Sequence, residues 1–155
     1  MRDLYDRFLA PWNGVDPLDG PPSPARDLVL AEQFGNEMTN GGLAQFLWNY
    51  FPRWEATLDG AERAYRAMGA EKQLAALPAI RAKLREFAPL CAKRIELAKN
   101  ETASGQAFEV WYESAEERMS LPEETLFYDN EPALTAARLA YLEANRAALF
   151  GCARA

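Results

Sequence analysis

Residues 27–51 read DLVLAEQFGNEMTNGGLAQFLWNYF, two apolar segments separated by an Asn-Gly-Gly tripeptide at positions 40–42. The first segment predicts a helix that starts at Asp27, an acidic residue suited to a helix N-terminus, and ends near Thr39. Asparagine and glycine tolerate the left-handed backbone conformation, so the tripeptide predicts a chain reversal. The second segment repeats apolar residues at i, i+3, i+4 and i+7, which predicts an amphipathic helix before Pro52. The stretch is therefore expected to form a helical hairpin.

The region before this hairpin combines a short apolar repeat with many helix breakers. Apolar residues recur at helical spacing from Leu4 to Leu9, which predicts one short helix that packs on the core. The prolines and glycines that follow, as far as about Pro24, exclude a long helix. We expect residues 1–26 to form this short helix and an irregular Pro-rich arm, and residues 27–155 to form one helical domain.

Helical patterns continue after the hairpin. Asp59 and Glu62 resemble a capping pair for a helix over residues 61–68, which Gly69 would end. Pro78 and Pro89 fit a first helical turn better than an interior, so residues 71–99 are expected to form two or three helices.

The last third of the chain predicts three further helices. One should run from Ser104 to Met119, a second from a capping box at Ser120 and Glu123 to about Tyr128, and a third from Asn130 to Gly151. No segment alternates with a period of two. The sequence therefore predicts an all-α, single compact domain of about seven to nine helices.

Length and composition agree with one folded domain. The chain has 155 residues, 49% of them hydrophobic and 26% charged, values close to those of globular proteins. It has no apolar run of the length that a bilayer requires, and the first residues lack the hydrophobic region of a signal peptide. We expect a cytoplasmic protein without a membrane partner.

The absence of histidine removes the commonest general base, the commonest metal ligand and every Ser-His or Cys-His pair. Cys91 and Cys152 have no CxxC spacing, and Cys91 is expected to be a buried apolar residue. We predict no catalytic residue, cofactor or metal, and hence no enzyme. A hydrolase that uses only carboxylates, such as Glu32 and Glu37, stays open and would require both in one deep pocket.

Charge is unevenly distributed along the chain. Residues 72–99 hold seven bases and two acids, whereas residues 101–131 hold nine carboxylates and the single base Arg118. Residues three or four apart are neighbours on a helix, so four of these carboxylates are expected to form a stripe. The stripe consists of Glu109, Glu113, Glu116 and Glu117. The basic segment is expected to pair with the acidic helices.

Two interpretations of the acidic region are open. A charged helix face is ordinarily a solvated surface. Alternatively, repeated negative charge resembles a phosphate backbone and would bind a basic protein surface, such as the DNA-binding face of a transcriptional regulator, without direct contact to nucleic acid. A homodimer or a structural assembly subunit also stays open. The candidate partner-binding residues are Glu109, Glu113, Glu116, Glu117, Glu123, Glu124 and Asp129.

The reversal carries a pattern, E-x-x-N-G-G-x-x-Q-F-x-x-N, which resembles the signature of a DNA-mimic-protein-like family of small bacterial proteins. Weaker matches follow at residues 67–70, 126–128 and 141–145, and Leu43 replaces the family's usual aromatic residue. The resemblance implies a helical fold and, from one member, DNA mimicry that titrates a transcriptional regulator. The residues that carry the pattern are Glu37, Asn40, Gly41, Gly42, Gln45 and Asn49.

The same pattern has a structural interpretation. Gly41 and Gly42 would permit the reversal, and the polar side chains of Asn40, Gln45 and Asn49 would hydrogen-bond backbone groups near it. The alternative is a pocket for a small ligand or a peptide. Its lining would be Glu37, Asn40, Gln45, Asn49 and Trp48.

Overall fold

The computed structural model describes residues 2–99, 104–128 and 131–151, and over these residues the chain forms eight α-helices, two 3-10 turns and no strand. The predicted all-α fold of about seven to nine helices is confirmed. None of the described helices has the length and apolar character that crossing a bilayer requires. The α-helices are α1 (Arg2–Leu9), α2 (Pro24–Asn40), α3 (Gly42–Tyr50), α4 (Trp54–Met68), α5 (Glu71–Ala98), α6 (Ser104–Met119), α7 (Pro132–Ala144) and α8 (Arg146–Gly151). The 3-10 turns are Ala10–Trp12 and Pro122–Phe127.

The predicted hairpin is formed by α2 and α3, which meet at the Asn-Gly-Gly tripeptide. Helix α2 begins three residues before the predicted start at Asp27, because Pro24 fits the first turn and the Ser23 hydroxyl accepts a hydrogen bond from the Arg26 N–H at 3.3 Å. It is buried along most of its length and forms the centre of the domain.

Helix α4 packs closely against α2. Gly60 makes this approach possible, since a Cβ atom at that position would lie 2.2 Å from Cδ1 of Leu30. The predicted start of α4 near Asp59 is wrong, because the helix already begins at Trp54. The hydroxyl of Thr57 donates to the Arg53 carbonyl in the first turn, and Asp59 lies inside the helix with its side chain paired to Arg81.

The prediction of two or three helices over residues 71–99 is wrong, because α5 is a single helix of 28 residues. Pro78 and Pro89 lie inside it, and both are exposed. On the solvent side, water can satisfy the carbonyls that lose a helical N–H donor. A proline there therefore interrupts the hydrogen bonding without ending the helix.

The predicted final helix is divided into α7 and α8 at Asn145. The Asn145 side-chain amide donates to the Tyr141 carbonyl at 2.9 Å and so competes with the helical backbone bonding. The predicted cap, Asn130, lies outside the described residues. The Glu131 carboxylate caps α7 by accepting a hydrogen bond from the Leu134 N–H.

Among the described residues, two hydrophobic clusters hold the helices together. The larger one contains an aromatic group at its centre, in which the Phe34 ring lies edge-on to Phe46 at 4.9 Å and to Phe127 at 5.0 Å. The smaller one joins Phe8 of α1 to Leu28 and Leu142. The N-terminal helix is thus packed on the domain.

Candidate functional site

Helix α6 presents one buried side and one acidic side. Its buried residues recur every four positions, and the Trp111 indole N–H donates to the Ala44 carbonyl of α3 at 2.9 Å. This hydrogen bond fixes the rotation of α6 about its own axis. The glutamates Glu109, Glu113, Glu116 and Glu117 are all exposed on the other side, and together they form the acidic face.

Negative charge on the acidic face is not neutralised by the described part of the chain. Among the described residues, no basic side chain forms an ion pair with any of its four carboxylates. Tyr112 instead donates its hydroxyl proton to Glu116 at 2.8 Å. Burial, followed by this hydrogen bond and the charge of Glu116, raises the pKa of Tyr112 to about 12.

Two basic residues of α5 pair with a different helix from the one predicted. Arg81 binds Asp59 at 2.8 Å and Glu62 at 2.9 Å, and Arg85 binds Glu55 at 3.2 Å. All three acids belong to α4. The prediction that these two bases pair with the acidic helices of residues 101–131 is therefore wrong. These two bases neutralise acids of α4, so they do not neutralise the carboxylates of α6.

Glu124, predicted to belong to the partner-binding surface, is buried at 6% exposure. Its carboxylate accepts one hydrogen bond from the Leu121 N–H at 2.6 Å and another from the Leu43 N–H at 3.2 Å. The predicted Ser120 and Glu123 capping box is therefore wrong: Leu121 is the N-cap residue, Glu124 accepts its N–H, and the leucine side chain has no acceptor for a return hydrogen bond. Burial raises the pKa of Glu124, while its two backbone donors act in the opposite direction. Glu123 is half-buried, and Asp129 lies outside the described residues.

Three polar residues of the Asn-Gly-Gly pattern bind one another across the reversal. The Glu37 carboxylate accepts from the Gln45 amide at 2.7 Å and from the Asn49 amide at 3.1 Å to each of its oxygens. The expectation that Gln45 and Asn49 bond to backbone groups is wrong, since both donate to a side chain. These two amides fix the position of the carboxylate without cancelling its charge.

The two glycines of the pattern differ in conformation. Gly41 is extended, and its N–H donates to the Glu37 carbonyl at 2.9 Å, whereas Gly42 has a φ of +65°. A Cβ atom on Gly42 would lie 2.3 Å from Oε2 of Glu124. Gly42 therefore combines a left-handed backbone with a close approach to a buried carboxylate, and both features require glycine.

The pattern residues line two different cavities. Glu37 and Asn49 line a cavity of about 650 Å³, whereas Asn40 lines a smaller one of about 230 Å³ next to the glycines. Trp48 faces α6, where its ring is centred 6.4 Å from that of Trp111. The three parts of the predicted pocket therefore point in different directions.

Glu32 and Glu37 do not form the carboxylate pair that a hydrolase would require. The Glu32 carboxylate is buried and bonded to the Arg138 guanidinium at 2.7 Å, with 4% and 6% of the two side chains exposed. Glu32 does not line the cavity to which Glu37 contributes. Its role is an internal ion pair between α2 and α7.

No sequence pattern predicts the contribution of the N-terminal arm to the larger cavity. Residues 12–18 line it together with Glu37, and Asp16 binds Arg53 at 2.6 Å. This ion pair joins residues 37 positions apart, and neither belongs to a recognisable pattern. Only the folded chain brings them together.

The sequence profile of the DMP19-like protein family matches residues 19–145. No curated protein and no solved structure shows significant similarity to the chain.

Proposed function

Because this chain belongs to the DMP19-like family, we propose that it is a non-enzymatic interaction module whose acidic face occupies the DNA-binding surface of a basic protein. The partner would be a DNA-binding protein such as a transcriptional regulator. The observation that carries the proposal is the row of exposed and unneutralised carboxylates on α6, Glu109, Glu113, Glu116 and Glu117.

The spacing of the acidic face supports this proposal. Glu109 and Glu117 span eight residues, which is about 12 Å on a helix that rises about 1.5 Å per residue. One DNA strand carries about three or four phosphate charges over that length, at about 3.4 Å per charge. Four carboxylates on α6 therefore match the linear charge density of one strand, and a basic groove would meet a similar potential.

The rigidity of α6 favours binding as well. Its buried side and the hydrogen bond from Trp111 to the Ala44 carbonyl hold the helix in one orientation. Carboxylates presented on a fixed helix lose less conformational entropy on binding than the same residues on a mobile loop. The face is thus presented to a partner in one fixed arrangement.

The alternative is a solvated surface without a partner. In that case the charge would serve solubility, and neutralising four acids on α6 would have the same effect as neutralising four acids elsewhere. This comparison separates the two interpretations, because only a binding face depends on where its charges lie.

The test compares two variants of equal charge as baits for a cell lysate at about 50 mM and about 500 mM salt. In the first, the four glutamates of the acidic face become glutamine. In the matched control, four exposed glutamates outside the face, Glu71, Glu86, Glu96 and Glu143, become glutamine. Electrostatic binding weakens as salt screens the charges.

We expect the unchanged protein and the control to retain a basic DNA-binding protein at low salt, and duplex DNA to displace it. The acidic-face variant should lose that protein at least tenfold. Equal retention by all three baits would show that the acidic face does not bind it. Retention that duplex DNA does not reduce would contradict DNA mimicry specifically.

A further inference from the structure

Residues 12–18 of the N-terminal arm line a cavity near the C-terminal ends of α2 and α3. Its volume of about 650 Å³ lies within the range of about 300 to 1,000 Å³ that is common for ligand sites. It is lined by polar and aromatic side chains, namely Trp12, Asp16, Gln33, Glu37, Asn49 and Tyr50. The cavity shares no residue with the acidic face.

Glu37 gives this cavity an uncompensated negative charge. Its carboxylate receives hydrogen bonds from the neutral amides of Gln45 and Asn49, and no basic side chain among the described residues forms an ion pair with it. Amide donors orient a carboxylate and stabilise it, but they add no opposite charge. A cation that enters the cavity would find an oriented acceptor with free capacity.

Among the described residues, Arg53 is the one base that lines the cavity, and it is already paired. Arg53 binds Asp16 at 2.6 Å and Asp19 at 3.5 Å, so its charge is balanced by two carboxylates of the arm. Arg26 is a second base at the edge of the cavity, where its guanidinium donates to the Pro17 carbonyl at 3.0 Å. With Arg26 included, the formal charges of Glu37, Asp16, Asp19 and Arg53 still sum to a negative value. An anionic ligand is therefore disfavoured at this place.

Aromatic rings supply the remaining wall of the cavity. Trp12, Tyr50 and Phe51 line it. The Tyr50 ring is stacked on Phe46 at 5.0 Å, and one face of Trp12 already contacts the Arg26 guanidinium at 5.5 Å. Aromatic faces attract cations through the ring quadrupole. The pKa of Tyr50 is raised to about 12 by burial and then by the charges of Glu37 and Asp16, which agrees with a negative potential in the cavity.

From this arrangement we propose that the cavity binds a guanidinium or alkylammonium group, with Glu37 as its counter-ion and the aromatic side chains around its apolar part. The group would come either from a free amine or from an arginine or lysine side chain of a peptide. The inference also assigns a role to three pattern residues, since Gln45 and Asn49 hold Glu37 in the binding orientation.

The test is a titration of ¹⁵N-labelled protein with N-acetyl-arginine amide, followed by NMR. The side-chain amide of Asn49 and the indole N–H of Trp12 report on the cavity. The neutral isostere N-acetyl-citrulline amide is the control ligand, because it keeps the shape and removes the charge. We expect saturable shifts at both reporters with the arginine compound and at least tenfold weaker binding of the citrulline compound.

Two variants, each at a different residue, test the role of Glu37, and a third serves as a control. Glu37→Gln should weaken binding at least tenfold. Gln33→Lys places an ammonium group one turn before Glu37 on α2, where it can reach the carboxylate and compete as a tethered cation. It should abolish binding, whereas Gln33→Met, of similar length but uncharged, should weaken binding much less, because it removes the Gln33 amide without adding a competing cation.

A peptide ligand distinguishes the two possible sources of the cationic group. A Gly- and Ser-rich hexapeptide with one central arginine should bind more tightly than the free compound if the natural ligand is a peptide, and equally if it is a free amine. Both results support the cation site. Equal binding of arginine and citrulline compounds, or binding that Gln33→Lys leaves unchanged, would overturn it.

Discussion

The buried carboxylate of Glu124 accepts a hydrogen bond from the backbone N–H of Leu43, 81 residues earlier in the chain. This contact joins the second 3-10 turn to the first residues of α3. It lies beside Gly42, whose missing side chain leaves space for the carboxylate. The helical reversal and the second 3-10 turn therefore depend on each other.

The first prediction concerns this close approach. Gly42→Ala should destabilise the fold by more than Gly69→Ala, although φ is +65° at one residue and +68° at the other. Both substitutions introduce a left-handed alanine, which costs about 1 kcal/mol. Only at Gly42 would the new Cβ atom meet Glu124, since nothing lies within 4 Å of the corresponding position on Gly69. Urea unfolding of both variants measures the difference, and equal losses would contradict the contact.

The second prediction concerns the pH dependence of stability. Burial raises the pKa of Glu124 in the folded protein, so the folded state holds this proton more tightly than the unfolded state. The unfolding free energy that Glu124 contributes should therefore fall as pH rises from its unfolded value of about 4.3 through the raised folded value. Glu124→Gln cannot titrate and serves as the reference. Urea unfolding of both proteins at several pH values between about 4 and 7 tests the sign. A wild-type protein that gains stability relative to the variant over this range would contradict it.

The reversal at residues 40–42 was predictable because its cause is local. Glycine and asparagine tolerate the left-handed backbone conformation whatever surrounds them, and the apolar spacing on each side specifies two helices. The mutual contact of Glu37 and Gln45 also had a signal, since both are polar residues that flank a predicted reversal. Local rules were sufficient for this part of the fold.

Other features could not be predicted because their causes lie far away in sequence. Glutamate is usually exposed, so the burial of Glu124 could not be predicted from its residue type. Its contact with the distant Leu43 N–H accounts for that burial. The proline rule failed for α5, because the cost of an internal proline depends on whether that side of the helix is exposed. The larger cavity forms where residues 12–18 pack against α2 and α3, and no local sequence pattern specifies that position.

The third prediction concerns the buried ion pair of Glu32 and Arg138. Arg138→Met should lower the unfolding free energy by about 3 to 5 kcal/mol, because it leaves the Glu32 charge buried without its counter-ion. The double variant with Glu32→Leu should recover much of that loss. Arg85→Met is the control, since Arg85 and Glu55 are exposed and such pairs contribute less than about 1 kcal/mol. Equal losses from Arg138→Met and Arg85→Met would contradict the prediction.

The fourth prediction concerns the thiol of Cys91, which is free and fully buried. Burial raises its pKa to about 12, so the reactive thiolate is scarce at neutral pH. We expect Cys91 to resist alkylation in the native protein and to react once urea unfolds it. Mass spectrometry of the peptide that contains Cys91 measures both rates. Rapid labelling under native conditions would show that the helices around it open readily.

The last prediction separates binding from stability on the acidic face. Glu113 has three like-charged neighbours three or four residues away, namely Glu109, Glu116 and Glu117. Each such pair destabilises a helix by about 0.2 to 0.5 kcal/mol. Changing all four to glutamine should therefore raise the unfolding free energy by about 1 kcal/mol at low salt, and this gain should disappear near 1 M salt, where the screening length falls to about 3 Å.

The charge-matched control should show no such gain, because two of its residues, Glu86 and Glu96, form ion pairs with Lys83 and Lys99 that the substitution removes. Thermal and urea unfolding at both salt concentrations measure the contrast. A loss of stability in the acidic-face variant would mean that these carboxylates support the fold. A gain means that the chain retains four mutually repelling charges against its own stability, as expected for residues selected for binding.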